Sequence, residues 1–202
     1  MKLAPVISII GPEGAGKSTT VTNLSSFLTS QSIPHAVIFM GRGKGNIIPL
    51  NKFGKNKEKY GDSLALPRTT FRKRLIYTLA ACTLTLDFQL RYLFHIFPQR
   101  LQKKMVITDR YTTDLYNMHH VPLWLRRISL ALFPTPALTF YLYNDIGTLH
   151  QRKGRSPADL QWQLDNFAFL SRKFKAVEIK TNGEKETLEI IMKEMEKRAL
   201  IR

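Results

Sequence analysis

The chain has 202 residues, of which 44% are hydrophobic and 10% aromatic, enough for one globular domain with a full core and too apolar for wholesale disorder. Its 31 lysines and arginines against 15 acids leave a formal charge of +16, an excess that suits nucleic acid, an anionic membrane surface or anionic substrates. The single cysteine, Cys82, excludes an internal disulfide and reads as a small buried residue of a reducing compartment.

The first predicted element is a strand, Val6-Ile7-Ser8-Ile9-Ile10, and the short Met1-Lys2-Leu3-Ala4-Pro5 lead into it sets the expectation of no cleavable signal. Directly after it comes Gly11-Pro12-Glu13-Gly14-Ala15-Gly16-Lys17-Ser18, which matches GxxxxGK[ST] between a strand and a helix. Glycines let such a loop aim several backbone N–H groups at one point, and the following helix adds the positive end of its dipole there. This is a site for a polyphosphate. Lys17 is placed to neutralise β- and γ-phosphate charge, and the Ser18 hydroxyl to take one position around Mg²⁺.

Val21, Leu24, Phe27 and Leu28 recur at helical spacing, which predicts a first helix from Lys17 to about Ser30. Pro34 interrupts the chain, and His35 to Met40 reads as a second strand. Residues 41–68 are rich in glycine and basic residues with few apolar anchors, and are expected to form a mobile cationic insertion. A long helix is predicted from about Thr70 to Phe97, ended or bent at Pro98, with Asp87 and Arg91 spaced for a helical ion pair. Its apolar part, Leu75 to Leu86, is shorter than a membrane span, so the expectation is a soluble, cytoplasmic protein.

Met105 to Thr108 reads as a third strand, and Asp109-Arg110-Tyr111 stands where it ends, the edge at which parallel sheets bind ligands. Asp109 is placed there to hold Mg²⁺ as a Walker-B-type acid, and Arg110 to clamp a phosphate bidentately. A short helix around Trp124 to Phe133 and a fourth strand, Leu138 to Tyr143, follow. The basic cluster Arg152, Lys153 and Arg155 comes just after a further predicted helix. Ser156-Pro157 then has the form of an N-cap and first-turn proline, opening a helix to about Lys175. Val177 to Lys180 is a fifth strand, and the last helix, from about Glu184, carries Leu188, Ile191 and Met195 on one face.

Strands alternating with helices predict a single α/β domain over 1–202, a three-layer α/β/α sandwich around a five-stranded parallel sheet of the P-loop NTPase type. No C₂H₂ spacing, RNP-type strand or basic heptad helix points to nucleic acid. Adjacent histidines, His119-His120, do not share a helix face and have no ligand partner at metal spacing. Trp124 and Trp162 read as packing residues rather than base-stacking platforms.

Gly11 to Thr19, Asp109-Arg110-Tyr111, the Pro136-Ala137-Leu138 strand entry and Arg152-Lys153-Gly154-Arg155 follow one another in the order seen in thymidylate kinases. Over nearly its whole length the chain resembles a thymidylate kinase-like member of the nucleoside monophosphate kinase group. That resemblance implies ATP and Mg²⁺ as cofactors, and transfer of the γ-phosphate to a nucleoside monophosphate, dTMP first. It also implies that Gly11, Glu13, Gly14, Ala15, Gly16, Lys17, Ser18 and Thr19 surround the donor phosphates, with Asn182 in the loop against the adenine. Lys17, Asp109, Arg110, Arg152 and Arg155 are the implied catalytic set, the last two from a lid at about 150–160, because the phosphate loop carries Glu13 and no arginine. Glu13, Arg42, Arg110 and Tyr111 are the implied acceptor contacts, and Ser18 and Asp109 the metal ligands.

The resemblance has gaps on the acceptor side. Gly41-Arg42-Gly43-Lys44-Gly45 departs from the usual Arg-Glu-Pro-Gly-Gly, and the thymine-reading arginine falls near Phe88 or Gln89, with Arg91 the nearest arginine. Two or three residues turn a helical side chain by roughly 200° to 300°. A kinase for another small acceptor (a nucleoside, a sugar phosphate or a lipid headgroup) therefore stands beside the dTMP reading. A nucleotide-dependent module for nucleic acid or an anionic membrane is the third. A homodimer through Leu75 to Leu86 is the alternative to burying that stretch in the core.

Overall fold

Val6–Ile10 forms β1, and all five of its residues are buried, as a strand covered on both faces requires. The chain then passes through α1 (Lys17–Ser30), β2 (His35–Phe39) and the long helix α2 (Phe71–Arg91). A π-helical turn, Tyr92–Ile96, leads into α3 (Phe97–Leu101). β3 (Met105–Asp109), α4 (Thr113–Tyr116), α5 (Leu123–Ala131) and β4 (Leu138–Tyr143) follow. The chain ends with α6 (Ile146–Lys153), α7 (Pro157–Phe174), β5 (Val177–Lys180) and α8 (Glu184–Lys197). The structure is a computed structural model that describes residues 3–42, 45–48, 71–118 and 121–201.

The five strands form one parallel sheet in the order β2-β3-β1-β4-β5. Ile9 of β1 lies opposite both Asp109 of β3 and Phe140 of β4, so the phosphate-loop strand is central and the acid comes level with its carboxyl end. Strand alternation divides the core in two. Ile7 and Ile9 pack with Leu24 and Leu28 of α1 and Ile191 and Met195 of α8. Val6 and Ile10 face the other way, onto Phe88 of α2, Leu130 of α5 and Phe167 of α7. The result is the predicted three-layer sandwich.

Several expectations need correction. Of the two expectations for Pro98, an end or a bend, the end is excluded: a π turn breaks the α-helical register just ahead of it and the helix resumes at Phe97, placing the proline in a first turn where its missing N–H costs no hydrogen bond. β3 includes Asp109. Arg152 and Lys153 belong to the last turn of α6 rather than to the turn after it. Cys82 is exposed, because α2 turns it away from the sheet. Trp124 is also exposed, and so does not pack in the core. Asp87 and Arg91 form the expected helical ion pair, at 2.9 Å, and both side chains are buried. Most of the expected 41–68 insertion, and His119-His120, lie outside the described residues. Among the described residues no helix is long and apolar enough to cross a membrane.

Candidate active site

The loop between β1 and α1 is shaped by backbone geometry that only glycine tolerates well. Gly11 has φ of 149°, and a Cβ there would run into the carbonyl oxygen of Leu142 on β4. Gly16, with φ of 82°, turns the chain into α1. Lys17 is buried beneath this loop, and its Nζ donates to the Pro12 carbonyl at 2.6 Å. Burial, with the charge of Arg110 in support, lowers its amine to about 8 against the opposing pull of Asp114, Asp109 and Glu13. Ala15 packs its methyl in the core and contributes only its backbone to the loop.

The parallel register carries Asp109 to the same end of the sheet, where its Oδ2 accepts from the Ser18 hydroxyl at 2.8 Å. Its other oxygen, Oδ1, is buried without a hydrogen-bond partner. A hydroxyl, a carboxylate and an orphaned buried oxygen suit a hard divalent cation such as Mg²⁺ whose other ligands are phosphate and water. Among the described residues no group of three His, Cys, Asp or Glu side chains stands ready to hold a metal by itself.

Arg110 follows in the left-handed conformation, φ 66°, with its N–H on the Ile9 carbonyl. Burial lowers its guanidinium, but Asp114, Glu13 and Asp109 outweigh that and hold it above its ordinary range. Asp114, one helical turn on, pairs with Arg110 at 3.0 Å and also accepts from the backbone N–H of Arg42 at 3.1 Å. The Arg42 side chain itself is exposed. Tyr111 is placed differently from the expectation: the turn at Arg110 sends it into the core, its hydroxyl on the Pro134 carbonyl and its ring edge-on to Phe133 and Phe174. It does not line the cleft.

The end of α6 lies over the loop. Arg152 donates to the Gly14 carbonyl at 3.1 Å, and Arg155 grips Glu13 with two hydrogen bonds of 2.8 and 3.2 Å. Burial raises the Glu13 carboxyl, yet Arg155, then Arg110 and Lys17, bring it below its ordinary value. Glu13 and Arg155 were expected to serve the acceptor sugar and the transferring phosphate separately, and here they hold each other. The Glu13 N–H is also bonded to Gln163 of α7, a partner that no motif announced.

A cleft of about 720 Å³ runs from Lys17 and Ser18, past Arg110 and Arg152, to Asn182 between β5 and α8. Exposed Thr19 lines it too. Asn144 steadies its far wall through two hydrogen bonds to Thr181. The volume suits a nucleotide, and cationic groups crowd one end while backbone and small polar groups form the other. Asp114 and Gln163 are the contributors that sequence reading missed. The i,i+4 spacing of Arg110 and Asp114 was the only signal for the first, and Gln163 had none.

A crystal structure of thymidylate kinase from Ehrlichia chaffeensis superimposes with a TM-score of 0.60 over 93% of this chain and 98% of that one, at 16% identity. That from Candida albicans, described as having broad substrate specificity, gives 0.67 over 99% and 94%, also at 16% identity. The fold is that of the thymidylate kinases. No protein-family model and no curated protein sequence matches the chain. Within that fold, the phosphate loop, Arg110 and the Arg152-Lys153 end of α6 line one cleft, and Asp109 joins it through its hydrogen bond with Ser18.

Proposed function

We propose that the chain is an ATP- and Mg²⁺-dependent kinase that transfers the γ-phosphate to a nucleoside monophosphate, with dTMP the first candidate. The observation that carries this reading is the convergence of Lys17, the Ser18–Asp109 pair, Arg110 and Arg152 on one cleft. Phosphoryl transfer moves negative charge between two anions, so its catalysis is positioning and charge stabilisation more than covalent chemistry. Lys17 and the loop N–H groups would orient the donor phosphates, and Asn182 would lie beside the base. Ser18 and Asp109 would hold Mg²⁺, which offsets the phosphate charge. Arg110, steadied by Asp114, would face the acceptor's phosphate, and Arg152 and Arg155 would cover the transferring group once it draws Arg155 from Glu13.

The test is to incubate the chain with ATP, Mg²⁺ and each nucleoside monophosphate. ADP should form with at least one, and no ADP with any would overturn the proposal. Lys17→Ala should abolish turnover, whereas Arg152→Ala should lower kcat more than it weakens ATP binding.

A second acceptor class is supported by the interior of α2. Phe88 is fully buried, and Arg91 is spent on Asp87 and on the Gly41 carbonyl at 3.0 Å, with its guanidinium 4.2 Å from the Phe88 ring centre. Neither position offers the thymine-reading arginine of the resemblance. Thermal-shift screening separates the readings: stabilisation by dTMP alone removes the nucleoside, sugar phosphate and lipid headgroup alternatives.

A further inference from the structure

The chain that leaves β2 is held at two points by a single ion pair inside α2. Arg91 donates to the Gly41 carbonyl at 3.0 Å, and Asp87, its partner at 2.9 Å, accepts from the Ile48 N–H at 2.8 Å. Both side chains are buried, and the Arg91 guanidinium lies over the Phe88 ring, 4.2 Å from its centre. A buried ion pair is often no more stable than apolar side chains of similar volume. What leucine and methionine could not do is donate to one point of a loop and accept from another.

Gly41 carries this restraint to the cleft. A Cβ on it would stand 2.6 Å from Cδ of Arg110 and would also run into the Phe39 ring, so Arg110 lies directly against the Gly41 backbone. The next N–H, that of Arg42, donates at 3.1 Å to the same Asp114 oxygen that Arg110 holds at 3.0 Å. Asp114 thereby joins the loop to Arg110. Its charge also reaches Arg91: burial lowers that guanidinium, and Asp87 and then Asp114 oppose the lowering.

We propose that the Asp87–Arg91 pair is a positioning device for Arg110: it fixes Gly41 and Ile48, and the loop in turn sets where the Arg110 guanidinium points. Arg110 lines the cleft, where a guanidinium must keep its orientation to take two oxygens of one phosphate. Asp87 and Arg91 act from behind it, each with 1% or less of its side chain exposed. What this means for an acceptor rests on the kinase reading, whereas the restraint on the loop does not.

The experiment compares the unsubstituted chain with Arg91→Met and with Asp87→Leu/Arg91→Met, the second of which leaves no stranded ion in the core. Hydrogen exchange read by mass spectrometry follows the Arg42 amide, whose own acceptor, Asp114, is untouched in both variants. That amide should exchange roughly tenfold faster or more in each, while the amides of β1 and β3 keep their protection. The Nε–H signal of Arg110 in nitrogen-edited NMR, assigned with Arg110→Lys, should shift or broaden in the double variant. With the nucleoside monophosphate that supports ADP formation, the double variant should raise the KM for that acceptor roughly tenfold or more and leave the KM for ATP within about twofold. Unchanged exchange at Arg42 or an unchanged Arg110 signal in the double variant overturns the proposal. So does a KM for ATP that rises as steeply as that of the acceptor, the mark of a general loosening. If no monophosphate supports ADP formation, the kinase reading falls, and exchange and NMR, which need no substrate, still decide whether the pair positions Arg110.

Discussion

Lys17 shows how the site is poised for an anion. Its amine is pushed down to about 8 because burial removes water and Arg110 adds repulsion that three carboxylates only partly offset. Its folded value lies below the unfolded one, so the unfolded chain binds more protons between about pH 8 and 10.5, and stability should rise with pH across that window. Chemical denaturation at pH 7.5 and 10 should reveal the rise, of order 2 to 3 kcal/mol, and Lys17→Met should flatten it. A bound polyphosphate favours the protonated amine, so calorimetry near pH 9 should record proton uptake when nucleotide binds. Asp87 presents the opposite case, a charge committed to structure. Its carboxylate accepts from the Ile48 N–H and pairs with Arg91, both out of water. Asp87→Ala strands the guanidinium and should cost about 3 to 5 kcal/mol in urea unfolding, part of which Asp87→Leu/Arg91→Met should recover.

Among the elements, the connection from α6 to α7 decides how the lid meets the phosphate loop. Gly154, left-handed at φ of 65°, stops α6, and the Ser156 hydroxyl caps α7 by accepting from the Asp159 N–H at 3.2 Å. Between the two stops stands Arg155, whose reach to Glu13 therefore depends on both. Ser156→Ala should lower stability by about 1 kcal/mol in thermal melts, and should also raise the KM for ATP as the turn loosens. The caps of α7 were legible because Ser-Pro is a local signal. The π turn at Tyr92–Ile96 was not, since its register is set by Ile96 reaching the core while Arg100 bonds the Ala4 carbonyl across the domain.

For the molecule as a whole, a formal charge of +16 concentrates repulsion on a single domain. Screening should therefore stabilise it, and an anion that also binds the phosphate loop should do more. Melting temperature should rise with sodium chloride, and further in sodium phosphate of equal ionic strength. Lys17→Ala should remove the phosphate excess and leave the chloride effect. Equal effects of the two salts on the unsubstituted chain would rule out specific phosphate binding.

The sequence by itself determined what depends on near neighbours. The phosphate loop, the strand and helix order and the Asp109-Arg110 turn follow from spacing, periodicity and glycine, all properties of a few consecutive residues. Tertiary structure alone decided which groups spend their hydrogen bonds on one another. Glu13 and Arg155 stand 142 positions apart yet share two hydrogen bonds, and Arg91 reaches 50 positions back to Gly41. Tyr111 went to the core and Cys82 to the surface because burial is set by what packs against a helix or turn, not by how apolar its own stretch is. Local signals thus specified the phosphate-loop end of the cleft, while the side facing Arg110 and Asp114 depends on long-range pairings whose free energies arise only when the layers close on the sheet.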